Sequence, residues 1–333
     1  RMAPGSRTTL RDVARAAGVS VPQASLALNG QGRVAASTVR RVRDAAERLG
    51  YRPNPAARAL RLGRVDAVGL ITRNLSNSYF LDVLRGMEAV TSSRGSHVVV
   101  MDSGYDPSTE LAAVHRMADG QVSALAIAPV GGTEAVDWWR VNRPELPIVQ
   151  INTAPSPGVT TVGPDNPVAV TLAVDHLAGL GHRRIGFVTA PPADAADTDR
   201  TQAYLARAGE LGLRPEILPC RLRFDDVRDL VADQLADPGG VRTFLMNSDY
   251  TASAVYRAAR DAGVEVGREV SVVGHDDLPT SGLLAPAMTT VAFDRRLVGE
   301  IAATELLEPG RETRTAVVPV HLVVRDSVAD LRP

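Results

Sequence analysis

Three carboxylates beyond residue 64 stand at or just past the ends of short apolar runs: Asp102 after Val99-Val100-Met101, Asp249 after Thr243–Met246, and Asp276 after Val272-Val273. Carboxylates that accept from paired hydroxyls are the ordinary chemistry of sugar recognition, because each ionised group offers two acceptor oxygens. The alternative for Asp249 and Asp276 is N-capping of a following helix. Asn77 and Phe80 follow another apolar run, where an aromatic face suits stacking on a sugar ring or a base. Nothing supports catalysis. The six histidines lack metal-ligand spacing such as His-x-x-x-His, and neither a Gly-x-Ser-x-Gly elbow nor a phosphate-binding Gly-rich loop occurs. Asp276 and Asp277, as neighbours on an extended segment, point apart. A single cysteine, Cys220, excludes an internal disulfide.

A different chemistry occupies the first 64 residues. Thirteen Arg stand there against Asp12, Asp44 and Glu47, a net of +10, which leaves −11 on the remainder of a chain whose overall charge is −1. Such asymmetry points to a polyanion-binding head on an acidic body. All 37 basic residues are Arg, which reads as genome composition rather than function. With 333 residues, 44% hydrophobic and 23% charged, the chain is globular and longer than one typical domain. No apolar stretch reaches the roughly 18–20 residues that span a bilayer. Arg1–Arg7 lacks the apolar core of a secretory leader, so the expectation is a cytoplasmic protein with no membrane partner.

The head must be helical. Thr9 and Asp12 form a capping box ahead of Leu10, Val13, Ala14 and Ala17, which recur at helical spacing. Gly18 stops that helix, and Ser20 with Gln23 opens a second from Val21 to Leu28 with Ala24 and Leu28 inward. A third starts at Ser37, with Val39, Val42, Ala46 and Leu49 as its apolar stripe. Two helices across so tight a turn make a helix-turn-helix. Pro53 and Pro55 precede Ala56–Leu60, a helix former too short to be stable alone. From Val65, apolar runs at Ala67–Ile71, His97–Met101, Ala124–Ala128, Ile148–Ile151 and Thr161–Val162 alternate with helical stretches. The alternation then repeats through Arg184–Thr189, Ile217–Pro219, Thr243–Met246 and Ser271–Gly274. That is the pattern of two consecutive α/β lobes, which predicts a cleft at the carboxyl ends of parallel strands. Trp138-Trp139, on a polar helix, reads as surface or dimer packing.

Thr9–Ala14, Ala17–Ser20, Leu28–Gly30, Arg33-Val34, Leu49–Asn54 and Ala57–Leu60 closely resemble, in order and spacing, the head of the lactose/galactose-repressor family. The resemblance implies that the second helix lies in the major groove of DNA, with Val21, Pro22 and Leu26 at the base-facing positions. These are apolar, suited to contacts such as thymine methyls rather than hydrogen bonds. Gln23, Ser25, Asn29 and nearby Arg side chains, Arg33 among them, would hold phosphates, with an adenine edge as the alternative for Gln23. Thr9, Tyr51, Asn54 and Arg58 complete the expected DNA contacts. Leu60 would be an apolar wedge in the minor groove when two hinge segments meet on an operator. A plain linker is the alternative for the hinge.

The body, through Asn77–Phe80, Asp165-Asn166, Gly181–Gly186, Asn247–Asp249, Val273–Asp277 and Leu322–Ser327, is similar to the periplasmic sugar-binding fold carried by these repressors. The implied organisation is a head at 1–50, a hinge at 51–64 and a body at 65–333. Within the body, lobe 1 would comprise about 65–163 and 293–319, and lobe 2 about 164–292 and 320–331. Arg200 matches the family's pocket arginine, whose fork suits vicinal hydroxyls or a carboxylate. The expected effector set is Asn77, Phe80, Asp102, Arg200, Asn247, Asp249 and Asp276, with neither metal nor cofactor. Pro191–Asp199 departs from the family's usual residues. The resulting expectation is a homodimeric repressor on palindromic double-stranded operator DNA, controlled by a monosaccharide or related polyol. A nucleoside would use much the same residues. An activator of the same fold, a sugar-binding protein without a regulatory role, and a sugar-processing enzyme are the alternatives; the basic head and the lack of a leader disfavour the second, and the absence of a catalytic constellation disfavours the third.

Overall fold

The computed structural model describes residues 8–29, 34–51, 67–120, 122–191, 197–308 and 312–333. Arg33, Asn54, Arg58 and Leu60 lie outside these, as do the hinge residues 52–64. The chain divides into two compact units, the first ending at Val65 and the second starting at Asp66.

In the first unit three helices, α1 (Leu10–Ala17), α2 (Val21–Asn29) and α3 (Ala36–Arg48), close around Val13, Ala14, Ala24, Ala27, Val42 and Ala45. The small size of that core lets the helices approach closely. Thr9 and Asp12 cap each other's backbone amides, and Ser20 and Gln23 repeat the arrangement at α2. Gly18 takes φ 63°, and the following Val19 N–H returns to the Ala14 carbonyl at 3.0 Å. A side chain resists that left-handed conformation, so glycine makes the turn. One detail of the expected stripe differs. Leu49 caps α3 and is exposed, and Ala45 takes the buried place. The helix ends one residue earlier than its apolar spacing suggests, because Gly50 turns left-handed and brings the Tyr51 N–H back to Ala46 O.

The second unit carries two six-stranded sheets. The first runs in the order β11 (Thr315–Val318), β5 (Thr160–Pro164), β4 (Ile148–Ile151), β3 (Ala124–Ile127), β1 (Ala67–Thr72), β2 (His97–Asp102), all parallel. The second runs β12 (Val320–Val323), β10 (Thr289–Phe293), β9 (Ser271–Asp276), β8 (Thr243–Met246), β6 (Arg184–Thr189), β7 (Arg214–Pro219), parallel except for β12 against β10. The chain passes between the sheets three times, after β5, after β10 and after β11. β1, β3 and β9 are buried along their whole length, as parallel strands covered on both faces must be.

The first lobe's helices are α4 (Tyr79–Ser93), α5 (Pro107–Asp119), α6 (Glu134–Asn142) and α11 (Arg295–Leu307). The second has α7 (Asn166–Gly179), α8 (Thr198–Glu210), α9 (Phe224–Ala236) and α10 (Asp249–Ala262). Side-chain caps start several of them: Asp106 for α5, Asp165 for α7, Ser248 for α10 and Asp294 for α11. Trp139 corrects the surface reading of the tryptophan pair. It is fully buried in α6, donating from Nε1 to Leu146 O at 3.1 Å, while Trp138 lies half-buried against His115.

Candidate DNA-reading helix and effector cleft

On the head, Pro22 and Leu26 are both exposed, one helical turn apart on the outer face of α2. Val21 is half-buried and leans on the head's core. Gln23 is exposed, but its Oε1 already accepts the Ser20 N–H at 3.3 Å, so its amide NH2 is the part left for DNA. Ser25 is half-buried and Asn29 is the last residue of α2. Thr9 lies in its capping box, exposed, and Tyr51 packs half-buried on the core. Arg40, Arg41, Arg43 and Arg48 all stand exposed on α3.

In the body, the carboxyl ends of strands from both sheets converge. Arg73 follows β1 and Asn152 follows β4; Thr189, Asn247 and Asp276 end or follow β6, β8 and β9. Arg200, on the first turns of α8, is 3% exposed and donates to three asparagines. Nε reaches Asn166 Oδ1 at 2.8 Å, Nη1 reaches Asn247 O at 2.7 Å, and Nη2 reaches Asn152 Oδ1 at 3.0 Å. The last of these bonds joins the two lobes. Arg223 Nη2 to Gly104 O at 2.7 Å is a second such tie. Arg295 is a third: Nε meets Asp82 in the first lobe at 2.8 Å, and Nη1 donates to the Asp276 and Asp277 carbonyls in the second.

Asp276 is buried, flanked by His275 Nδ1 at 3.1 Å and by the Asn77 amide. Burial pushes its carboxyl up to about 7, against the pull of Arg200 and Arg295. Burial, then Arg200, holds His275 well below its ordinary range, so the ring is neutral. On the assignment that Nδ1–H donates to Asp276, Nε2 is an acceptor, and it is buried with no partner. The Tyr79 hydroxyl is likewise buried without a partner, among the charges of Asp276, Arg73, Arg200 and Arg295. Such orphaned polar atoms are rare in protein interiors, and two of them at one set of strand ends mark a place where a polar ligand or water can bind.

The remaining expected contacts have other surroundings. Asp102 braces its own loop, accepting from Leu75 N and Gly104 N, both at 3.0 Å. Asp249 accepts from Leu278 N at 2.9 Å and Thr290 Oγ1 at 2.6 Å, and from the Ser281 hydroxyl. It is not an N-cap, because Ser248 fills that role. Nor does Asp276 cap a helix, since turns follow it. Phe80 is buried in the first lobe's core, edge-on to Tyr79 with ring centroids 4.9 Å apart. Asn77 accepts the Tyr79 N–H and so sets the start of α4. The structure therefore brings together Asn77, Arg200, Asn247 and Asp276, with Phe80 behind Tyr79, and sets Asp102 and Asp249 to work on protein donors.

Arg73, Tyr79, Tyr105, Asn152 and His275 were not among the expected ligand-facing residues. For Arg73 and Asn152 a signal existed, since each is the first residue after a strand. Backbone conformation marks the same place. The four non-glycine residues with positive φ among those described are Tyr105, Asn152, Asp276 and Asp277; the last three lie at these strand ends, and Tyr105 in the loop three residues past β2. Strained residues of this kind cluster at functional sites.

A three-helix head of helix-turn-helix form, together with a two-lobed body whose cleft holds strained and unsatisfied groups, defines a ligand-responsive DNA-binding regulator. Two family models match the chain: bacterial regulatory proteins of the lacI family over residues 9–54, and the periplasmic binding protein-like domain over residues 174–328. The HTH-type transcriptional regulator GntR of Pseudomonas aeruginosa is 31% identical over 334 residues, covering 96% of each chain. This protein belongs to the LacI family of bacterial transcriptional regulators. Its fold is that of the Lac repressor dimer bound to operator and the anti-inducer ONPF, with a TM-score of 0.84 at 24% identity over 97% of this chain and 100% of that one. The cellobiose complex of the regulator CelR is 25% identical with a TM-score of 0.68, over 96% of this chain and 100% of that one.

Proposed function

We propose that this protein is a cytoplasmic, homodimeric repressor whose affinity for a palindromic operator is set by a small polyhydroxylated effector held between its lobes. The observation that carries the reading is that Arg200, tied across the lobe boundary to Asn152, and Asp276, bonded to Asn77, lie about a buried Tyr79 hydroxyl that has no partner among the described residues. Asp276, Asn77 and Arg200 contact the effector, and Asn247 and Phe80 hold the surrounding frame. Asp102 and Asp249 act as braces beneath the cleft. On the head, Pro22 and Leu26 meet base edges through apolar contact; Val21, Gln23, Ser25, Asn29, Thr9, Tyr51 and Arg33 flank them. Asn54, Arg58 and the Leu60 wedge belong to the hinge. No helix among the described residues is long and apolar enough to cross a membrane.

Selection from a pool of random duplexes at about 150 mM salt tests the reading, since non-specific binding is weak at that ionic strength. Enrichment of a two-fold symmetric site is the expected outcome, and salt-sensitive binding without any enriched sequence overturns it. On that site Leu60→Ala weakens specific binding while leaving non-specific DNA binding little changed; unchanged operator affinity would remove the wedge role. Asp276→Ala abolishes the response to effector and leaves DNA binding intact.

A further inference from the structure

The charge inside the cleft runs opposite to the count from sequence. Asp102 and Asp249 have both oxygens occupied by protein donors, which leaves Asp276 as the cleft's carboxylate from the expected three. Around the Tyr79 hydroxyl, together with Asp276 and Arg295, stand two buried guanidinium groups, Arg73 and Arg200, 6% and 3% exposed. Both point at the same residue. Asn152 accepts Arg73 Nη2 on its backbone carbonyl at 2.7 Å and Arg200 Nη2 on its side-chain Oδ1 at 3.0 Å. Asn152 holds φ 49° to offer both oxygens, and a methyl group at Gly163 would crowd its backbone at 3.2 Å.

Every acceptor these two arginines have is neutral: Pro129 O and Asn152 O for Arg73; Asn166 Oδ1, Asn247 O and Asn152 Oδ1 for Arg200. Among the described residues neither forms an ion pair. Asp199 meets the Asn166 amide and the Arg200 backbone N–H rather than the guanidinium, and Asp197 accepts from Thr189, Ala190 and Asn247. Glu110 is separated from Arg73 by a peptide, taking the Val130 N–H on one side while Arg73 takes the Pro129 carbonyl on the other. Each arginine has five N–H donors; the protein engages two on Arg73 and three on Arg200. Buried cations whose hydrogen-bond acceptors are all neutral are costly, and an anion between them relieves the cost while using the remaining donors.

We propose that the effector is an anion: a polyhydroxylated chain or ring bearing a carboxylate or phosphate, with the oxyanion bound across Arg73 and Arg200 at Asn152 and hydroxyls directed to Asp276, Asn77 and the Tyr79 hydroxyl. The proposal rests on the reading of the cleft as the effector site. Calorimetric titration of the full chain with matched six-carbon ligands tests it, using neutral aldohexoses, the corresponding aldonic and uronic acids, and hexose phosphates. One anionic class binds about 10- to 100-fold more tightly than its neutral parent, the range of one or two charge-assisted hydrogen bonds, and the better of acid and phosphate identifies the oxyanion. Arg73→Gln weakens the anionic ligand about tenfold or more beyond any loss for its neutral parent, and Arg73→Lys restores part of that difference. Both variants are checked for wild-type melting and DNA binding, and the wild-type panel decides the matter should either fail to fold. A neutral aldose that binds as tightly as its acid, or an Arg73→Gln loss shared equally by both, overturns the charge assignment and leaves the cleft reading in place. No binding by any member of the three classes overturns the cleft reading together with the proposal.

Discussion

At the scale of single residues, buried acids govern how this protein responds to pH. Burial pushes Asp276 and Glu110 each up to about 7. Carboxyls in the unfolded chain titrate near 4. Between those values the folded state keeps protons that the unfolded chain has released, so stability falls as pH rises from about 4 to about 7 and then levels. Glu110 allows a clean test because its carboxylate accepts from Val130 N at 2.6 Å, and a glutamine keeps that acceptor while losing the charge. Glu110→Gln removes the share of the dependence that Glu110 contributes, and the thermal midpoint at pH 8 rises by about 2–4 °C, the size expected for roughly 1 kcal/mol in a body of this length. A wild-type melting curve that is flat between pH 5 and 8 would contradict the assignment. Burial, then the neighbouring Asp276, pushes Asp249 up to about 7 as well, although its oxygens hold three donors from the β9–β10 segment. Asp249→Ala strands the Leu278 N–H and two hydroxyls, lowering the free energy of unfolding in urea by about 2–3 kcal/mol.

At the scale of elements, two glycines decide how the first lobe closes. Gly86 on α4 lies against the Arg296 carbonyl, and Gly299 on α11 lies against the Val83 carbonyl. A methyl group at either position overlaps backbone, which cannot give way as a flexible side chain would. The crossing of these two helices, which also buries Val83, Met87, Val298 and Ala302, depends on that approach. Gly299→Ala therefore destabilises the body by about 1–3 kcal/mol, the usual cost of overpacking. The head's melting transition, followed by the same calorimetric scan, stays where it was. In the head, α2 combines a weak apolar stripe with exposed Pro22 and Leu26, so its helical state depends on Ala24 and Ala27 packing against α1 and α3.

At the scale of the molecule, a head of net +10 and a remainder of net −11 give a sharply divided field. Phosphate contacts from such a head release counterions, so affinity for non-specific duplex falls by about 10³-fold or more between 50 and 200 mM salt if about six phosphates are neutralised. A slope near zero would exclude the head as the DNA-binding surface. The lobes form a single unit tied by Arg200–Asn152, Arg223–Gly104 and the Arg295 link from Asp82 to the Asp276 and Asp277 carbonyls. Arg295→Met cuts the last of these without emptying the cleft of its ligand groups. The expected result is a larger radius of gyration in solution scattering for the ligand-free body and an unchanged head. An identical scattering curve would show that the tie does not set the lobe balance.

Local chemistry written along the chain determined much of this protein. Capping pairs, a glycine stop and apolar spacing are short-range signals, so the helix-turn-helix and the strand–helix alternation of two α/β lobes could be read directly. Ends were read less well: β7 begins at Arg214, three residues before its apolar run, and Leu49 falls outside α3. Pairing with a neighbouring strand and a left-handed glycine set those limits, and neither belongs to the residues' own periodicity. The site was legible only in part. That Asp276 would stand at a strand end followed from topology, and Arg200 from the family resemblance, but which carboxylates remain available did not. Asp249 is bound by Ser281 and Thr290, 32 and 41 residues away, and Arg73 meets Asn152 across 79. Hydrogen-bond partners at such separations are chosen by packing, so only the tertiary structure decided that Asp102 and Asp249 serve protein donors and that, among the described residues, Arg73 and Arg200 bond only to neutral acceptors.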